Sequence, residues 1–288
     1  MVQTGTTAAT TAVPAKPPSS ARADPGVAME VVIVADAAAQ GELVASAVAD
    51  LIARKPEALF GVATGSTPLP VYQALAAKVA AGQVDVGRLK VCQLDEYVGL
   101  PAGHPESYRE VLKREVLAPL GIGDSAFLGP DGGAEDLPGA CAAYEQQLAD
   151  AGGVDLQLLG IGTDGHIGFN EPVSSLASRT RIKTLTERTR VDNARFFNGL
   201  DEVPRHVITQ GIGTILQARH LVLLATGAGK AEAVAATVEG PVSSMVPASA
   251  LQLHPHATVV VDEAAAQQLK LSDYYKATFA SKPAWQGI

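Results

Sequence analysis

Asp164, His166 and Glu171 fall within eight residues in the stretch Gly160-Ile161-Gly162-Thr163-Asp164-Gly165-His166-Ile167-Gly168-Phe169-Asn170-Glu171-Pro172. The apolar run Leu156-Gln157-Leu158-Leu159 precedes it directly and predicts a buried strand. Glycines at 160, 162, 165 and 168 permit tight turns and close approach of the backbone to a ligand. An imidazole titrates near neutrality. Asp-x-His spacing lets one carboxylate orient it while Glu171 tunes its protonation, which is the make-up of a proton relay. The same three side chains are also metal-ligand types. No Cys or second His lies near them in the sequence, which favours the relay. A plainer reading is a solvated strand-to-helix turn with a capping Asp.

Three further polar clusters follow apolar runs. Thr64-Gly65-Ser66-Thr67-Pro68 stands after Leu59-Phe60-Gly61-Val62-Ala63 and before a helical pattern. Backbone N–H groups at such a helix start, with the hydroxyls of Thr64, Ser66 and Thr67, form an anion cradle suited to a metabolite phosphate. No Gly-Lys-Ser/Thr follows, so it is not a nucleotide-binding phosphate loop of the Walker type, and an ordinary capped turn is the alternative. Asp95-Glu96-Tyr97 follows Leu94. Adjacent carboxylates at a strand end point opposite ways, so one can face a site as a general base while the other faces structure. Thr226-Gly227-Ala228-Gly229-Lys230 follows the run Leu221–Leu224, and a Lys behind a glycine turn adds a point charge to an anion site. Ser174-Ser175-Leu176-Ala177-Ser178-Arg179-Thr180-Arg181-Ile182-Lys183 concentrates cations and hydroxyls without helical periodicity; it reads as a second anion site or as a charged surface loop. His254-Pro255-His256 reads as plain surface histidines.

These clusters need a scaffold. Apolar runs predict strands at Val31–Val34, Leu59–Ala63, Lys90–Leu94, Asp155–Leu159, Val207–Thr209, Leu221–Leu224 and Thr258–Val261. Helical patterns cover Ala37 to about Arg54, Leu69–Val79, Tyr108–Leu117, Gly139–Ala149 and Lys230–Val238. Alternation of this kind predicts a single α/β domain with a mainly parallel, Rossmann-like sheet and helices on both faces. Clusters that follow strands then gather along the carboxyl edge of the sheet, where ligands bind in open α/β folds.

Residues 1–28 are Thr-, Ala-, Pro- and Ser-rich and lack apolar periodicity, so they are expected to be a disordered extension or to lie upstream of the true start. The folded domain is expected over 29–275, with a tail over 276–288. The charged start and apolar core of a secretory signal are missing, and no apolar run reaches 18 residues, so no membrane partner is expected. The formal charge of -8 argues against nucleic acid as a partner. Two cysteines, Cys92 and Cys141, are expected to be reduced and structural, as in a cytoplasmic protein.

The sequence resembles the glucosamine-6-phosphate deaminase family from about Met29 to about Lys270. The likeness rests on Leu94-Asp95-Glu96-Tyr97-Val98-Gly99-Leu100-Pro101 with His104-Pro105-Glu106-Ser107-Tyr108, on Asp164-Gly165-His166-Ile167-Gly168-Phe169-Asn170-Glu171-Pro172, on Ser174 to Thr186, and on Leu251-Gln252-Leu253-His254-Pro255. It implies conversion of D-glucosamine 6-phosphate and water to D-fructose 6-phosphate and ammonia, without metal or organic cofactor. It implies that Asp95 is the base moving a proton between C2 and C1, and that His166 opens the sugar ring with Asp164 and Glu171 as its relay. Thr64, Gly65, Ser66, Thr67, Arg195 and Lys230 match phosphate-binding positions. Ser174, Ser175, Arg181 and Lys183 match an activator site for N-acetylglucosamine 6-phosphate, which implies a homohexamer. The chain departs from the family at Gly65-Ser66, where Gly-Gly is common, and at Gly168, where Ala is common; residues 241–247 also lack the Trp of some members. A related sugar-phosphate lactonase and a non-enzymatic sugar-phosphate sensor are the alternatives. The Asp95–Leu100 text favours the deaminase, and no DNA-binding motif precedes the domain.

Overall fold

Apolar side chains at successive positions in short β-branched runs bury both faces of a strand, and runs of that kind build the centre of the fold. The computed structural model describes residues 29–283 and 286–288, so the expected extension over 1–28 lies outside the described residues. Strands β1 Glu30–Val34, β2 Leu59–Val62, β3 Lys90–Gln93, β5 Phe127–Leu128, β6 Leu156–Leu159, β9 Leu221–Ala225 and β10 Ala257–Asp262 form one parallel sheet in the order β1-β10-β9-β6-β2-β3-β5. Strands β4 Asp95–Tyr97, β7 Arg181–Thr184 and β8 His206–Thr209 form a small antiparallel sheet in the order β4-β8-β7. The helices are α1 Ala37–Arg54, α2 Leu69–Ala80, α3 Tyr108–Leu112, α4 Ala118–Leu120, α5 Leu137–Asp150, α6 Glu187–Asn193, α7 Ile212–Ile215, α8 Ala231–Val238 and α9 Ser272–Ala280.

The large sheet is covered on both faces. Phe60, Val62, Val91, Leu156, Leu158 and Val222 pack with Val44 and Val48 of α1 and Leu75 of α2. Their neighbours Leu59, Cys92, Leu159, Leu221, Leu223 and Val259 face the other way, toward Tyr144 of α5 and Val234 of α8. Burying a side chain of this size contributes roughly 1.5–3 kcal/mol, so this two-sided core fixes the strand order. The chain is therefore a single α/β domain with a parallel, Rossmann-like sheet, as expected.

From β2 the chain steps outward through β3 to β5, whereas from β6 it steps the opposite way through β9 to β10. The reversal lies between β2 and β6, and a crevice at such a switch point is where open α/β sheets bind ligands. The four strands β9, β6, β2 and β3 are contiguous, so the polar clusters that follow them stand side by side.

Several elements differ from expectation. Val207–Thr209 was expected within the main alternation, but β8 pairs antiparallel with β4 and β7 instead. The charged segment ending at Lys183 contains strand β7, whose side chains alternate between half-buried and exposed. The helix expected over Tyr108–Leu117 breaks after Leu112 into a wide π-type turn, Lys113–Leu117. The expected boundary after residue 275 falls inside α9, and Lys282 anchors the segment beyond it to Glu30 with Nζ 2.6 Å from Oε1. His254 is buried, not a surface residue: Nε2 lies 2.8 Å from the Ala218 carbonyl and Nδ1 accepts the His256 N–H at 3.0 Å. It ties together the loops that enter β9 and β10.

Candidate active site

Strand β4 starts one residue after Leu94, and its first residue, Asp95, is only 6% exposed. Among the described residues, none donates a hydrogen bond to its carboxylate. Burial, with the neighbouring Glu96 charge adding to it, pushes the Asp95 carboxyl up to about 8. Glu96 points the opposite way, as the strand pleat requires. Its carboxylate accepts the N–H groups of Tyr97 (2.8 Å), Tyr108 (2.9 Å) and Arg109 (2.8 Å), and Nε2 of Gln93 (3.3 Å). One carboxylate of the pair thus pins the start of α3, and the other is left without donors among the described residues.

The loop after β6 brings the second group of residues together. His166 Nδ1 lies 2.7 Å from Asp164 Oδ1 and 3.7 Å from Glu171 Oε2, off the line of a good hydrogen bond to either. The backbone N–H of His166 donates to Asp164 Oδ1 at 3.2 Å. Burial works to raise the Asp164 carboxyl, but the His166 ring and N–H outweigh it and hold it below its usual value. Glu171 Oε1 accepts the Thr189 hydroxyl at 2.8 Å. Glycine is required at 162, because a Cβ there would overlap the imidazole of His166. Gly168 has φ +55°, and a Cβ would meet Thr209 Oγ1 at 2.9 Å.

The two groups are joined through β8. Thr209 is the register partner of Asp95, and its Oγ1 accepts the Phe169 N–H of the relay loop at 3.2 Å. Asn170 locks the same loop by donating Nδ2 to the carbonyls of Ile167 and Gln210, each at 2.9 Å. Strain is concentrated beside it. Among the described residues Val173 alone combines a side chain with positive φ (+72°), and its N–H donates to Ser244 at 2.8 Å.

The loop after β2 leads into α2 with Pro68 as cap and no side-chain cap hydrogen bond. Among the described residues, the N–H groups of Gly65, Ser66 and Thr67 reach no backbone carbonyl. Lys230 comes to the neighbouring loop, where Nζ donates to the Ile161 carbonyl at 2.6 Å. Arg195 is not brought into this group. It sits on the turn Ala194–Phe196 with its guanidinium 4.7 Å from the Phe196 ring centre. Arg181 donates to Asn170 Oδ1 at 2.8 Å and to Ser174 Oγ at 3.4 Å. Lys183 follows it on the same face of β7, while Ser175 Oγ accepts the Ala177 N–H at 3.3 Å.

Thr189, Asn193 and Thr209 were not singled out in the sequence. Asn193 donates to the Tyr97 hydroxyl at 2.9 Å, so α6 touches both halves of the site. No spacing rule links positions that far apart. For Glu96 a signal existed, in the opposite facing of adjacent carboxylates.

Fold and site define an α/β protein whose polar clusters gather beside the switch point of a parallel sheet. Residues 34–261 match the family described as glucosamine-6-phosphate isomerases/6-phosphogluconolactonase, and the chain belongs to that family. It is 76% identical over 261 residues to a glucosamine-6-phosphate deaminase of Streptomyces avermitilis, spanning 90% of this chain and 100% of that protein. It is 74% identical, with the same coverage, to a glucosamine-6-phosphate deaminase of Streptomyces coelicolor. A solved monomeric glucosamine-6-phosphate deaminase superposes with a TM-score of 0.81 at 40% identity, covering 83% of this chain and 100% of that one. A 6-phosphogluconolactonase from Trypanosoma brucei, at 20% identity and a TM-score of 0.69 over 84% of this chain and 98% of that one, shares the fold. No helix among the described residues is long and apolar enough to cross a membrane.

Proposed function

We propose that the protein is a glucosamine-6-phosphate deaminase, which converts D-glucosamine 6-phosphate and water to D-fructose 6-phosphate and ammonia. The observation that carries this reading is the buried Asp95, without a donor among the described residues, coupled through Thr209 to the Asp164/His166/Glu171 loop. Isomerising an amino-aldose needs a base beside a carbon acid, in a partly dehydrated cleft, with a pKa near the working pH. His166 moves the proton of the C1 hydroxyl to the ring oxygen, with Asp164 and Glu171 steadying its charge. Asp95 then takes the C2 proton and returns it to C1 while an amine proton passes to the C1 oxygen, leaving an imine at C2 that water converts to the ketone and ammonia. The loop at Thr64, Gly65, Ser66 and Thr67, with Lys230, holds the phosphate far from the reacting carbons, and Arg195 swings in to it from the turn Ala194–Phe196, so its binding energy positions C2 against Asp95. The reaction is an isomerising hydrolysis of a C–N bond, placed in cytoplasmic breakdown of amino sugars such as N-acetylglucosamine. A lactonase would hydrolyse an ester and has no use for a base at C2. The deciding assay is ammonia release from glucosamine 6-phosphate compared with hydrolysis of 6-phosphogluconolactone. Lactone hydrolysis without ammonia release would reverse the assignment.

The reaction needs no metal. Asp164, His166 and Glu171 offer ligand atoms within 4.8 Å of one another, but Glu171 and Asp164 already accept hydrogen bonds from Thr189 and His166, which suits proton transfer. Exhaustive chelation should leave the deaminase rate within about a factor of two, an effect below 0.5 kcal/mol. Loss of activity restored by one particular metal would sink this point.

Regulation belongs to the same reading. Ser174, Ser175, Arg181 and Lys183 take the phosphate of N-acetylglucosamine 6-phosphate as activator, between subunits of a homohexamer. Arg181 already holds Asn170, the neighbour of Glu171. A phosphate that draws the guanidinium away acts directly on the relay loop. Coupling of this kind amounts to ~1–3 kcal/mol, so the activator should left-shift the substrate curve about 5- to 100-fold and Arg181→Ala should erase the shift. The solved monomeric relative makes assembly a separate question, read by sedimentation. A monomer with superimposable curves would remove both claims.

A further inference from the structure

Two buried carboxylates stand next to each other on β4 in opposite surroundings. Among the described residues no donor reaches the Asp95 carboxylate, whereas that of Glu96, 5% exposed, accepts from four N–H groups. We infer that Glu96 is a positioning residue for the proposed reaction, a fixed anion beside Asp95 that makes this base stronger than an ordinary aspartate. The inference rests on the reading of Asp95 as the C2 base.

The argument is one of hydrogen-bond accounting. A carboxylate only accepts, and a protonated carboxyl must point its O–H at an acceptor. Each contact of Glu96 is to a donor: three backbone N–H groups and the Gln93 amide, whose Nε2 also donates to the Asp95 carbonyl at 3.0 Å. A proton on Glu96 would therefore have to displace one of the backbone N–H groups or turn the Gln93 amide, giving up its Nε2 contact to the Asp95 carbonyl. Burial pushes the Glu96 carboxyl up by more than these donors pull it back, so it sits above its usual value; the four converging donors are what keep it ionised while Asp95 titrates. Asp95 then ionises beside an existing negative charge in a site of low dielectric, where like charges oppose each other.

The other titratable groups around Asp95 do not supply a compensating charge. Tyr97 on the same strand is pushed up to about 12 by burial. Tyr108 of α3 and Tyr144 of α5 are pushed well above the usual phenol value, again by burial. All three stay neutral through the working range. Arg109 gives Glu96 its backbone N–H, but its guanidinium lies over the Phe127 ring, 4.9 Å from the centre. Arg181, across β8 in the same register row, is engaged by Asn170. Glu96 is the charge that acts on the base.

The arrangement has a use. A base with a carboxylate neighbour is stronger than an ordinary aspartate, and a stronger base takes a weakly acidic carbon proton more readily. The cost is that burial and the Glu96 charge together delay the ionisation of Asp95 toward about pH 8.

The experiment is the pH profile of kcat/KM for deamination in the intact chain and in Glu96→Gln. The wild-type acid limb is expected near pH 8. With the charge removed the limb should move to about pH 7, a shift of the size that one close charge produces. Gln93→Leu removes one donor but keeps the charge, and its limb should stay near the wild-type position. A Glu96→Gln enzyme that loses activity evenly at every pH, with its limb unmoved, overturns the inference and leaves Glu96 as structure. Should Glu96→Gln fail to fold, carboxyl-carbon titration of the labelled wild-type chain decides the same point. Glu96 ionised while Asp95 titrates supports it, and Glu96 protonated while Asp95 is ionised overturns it. Failure of the deaminase reading itself would look different, as an absence of ammonia release in the wild-type protein.

Discussion

Replacing Asp95 with asparagine is expected to lower kcat by ~10²–10⁴-fold, the usual cost of losing a general base, while sugar-phosphate binding stays largely intact. Asparagine keeps the shape at the head of β4 and removes the basicity. The same substitution should make the fold more stable at alkaline pH. The Asp95 carboxyl is held up near 8 in the folded chain, against 3.8 when exposed, and burial is the main cause. Between those values the folded protein keeps a proton that the unfolded chain has released, so stability falls as pH rises across this window. The contribution is fully present below about pH 4 and is lost as pH passes through about 8. Asparagine does not titrate, so the variant escapes the loss, which is on the order of a few kcal/mol. Thermal melting at pH 5 and pH 9 reads this directly. The melting temperature of the variant should exceed that of wild type by a margin that grows with pH. A variant that retains more than a third of wild-type turnover would show that Asp95 is not the base, whatever its effect on stability. Trading stability for a poised catalytic group in this way is common at active sites.

The second large effect is expected at the phosphate. Lys230→Ala removes a charge-assisted contact worth roughly 1.5–3 kcal/mol, so KM for the phosphorylated sugar should rise about 10- to 150-fold. Lys230 also ties the turn before α8 to the carbonyl of Ile161, at the root of the relay loop. A modest fall in kcat therefore accompanies the rise in KM. Arg195→Ala should raise KM as well, and there kcat should be spared, because the Arg195 guanidinium lies over the Phe196 ring and not against the relay. Steady-state kinetics over a range of ionic strength separates the two, since the added contact is ionic. An unchanged KM in both variants would remove the phosphate assignment and with it the orientation of the substrate in the cleft.

Sequence alone determined the parallel sheet and where its ligand edge lies. Runs such as Leu221–Leu224 and Thr258–Val261 are apolar on both sides, and only a strand covered by helices on both faces buries them. Helix α1 was legible to its ends, because Asp36 caps it and its apolar positions repeat at helical spacing. The pairing of opposite roles in Asp95 and Glu96 was legible too, since the strand pleat enforces it. Only tertiary structure decided the small sheet. Asp95-Glu96-Tyr97 and Arg181–Thr184 carry too little apolar surface to announce strands; they become strands because β8 lies between them and pairs with both. The burial of His254 was hidden for the same kind of reason, as its partners are carbonyls at 218 and 256 that composition cannot reveal. The contacts from Thr189 to Glu171 and from Asn193 to Tyr97 likewise join residues up to 96 positions apart. Periodicity reports which side of an element is buried. It does not report which distant element buries it, and the raised pKa of Asp95 is a property of that burial.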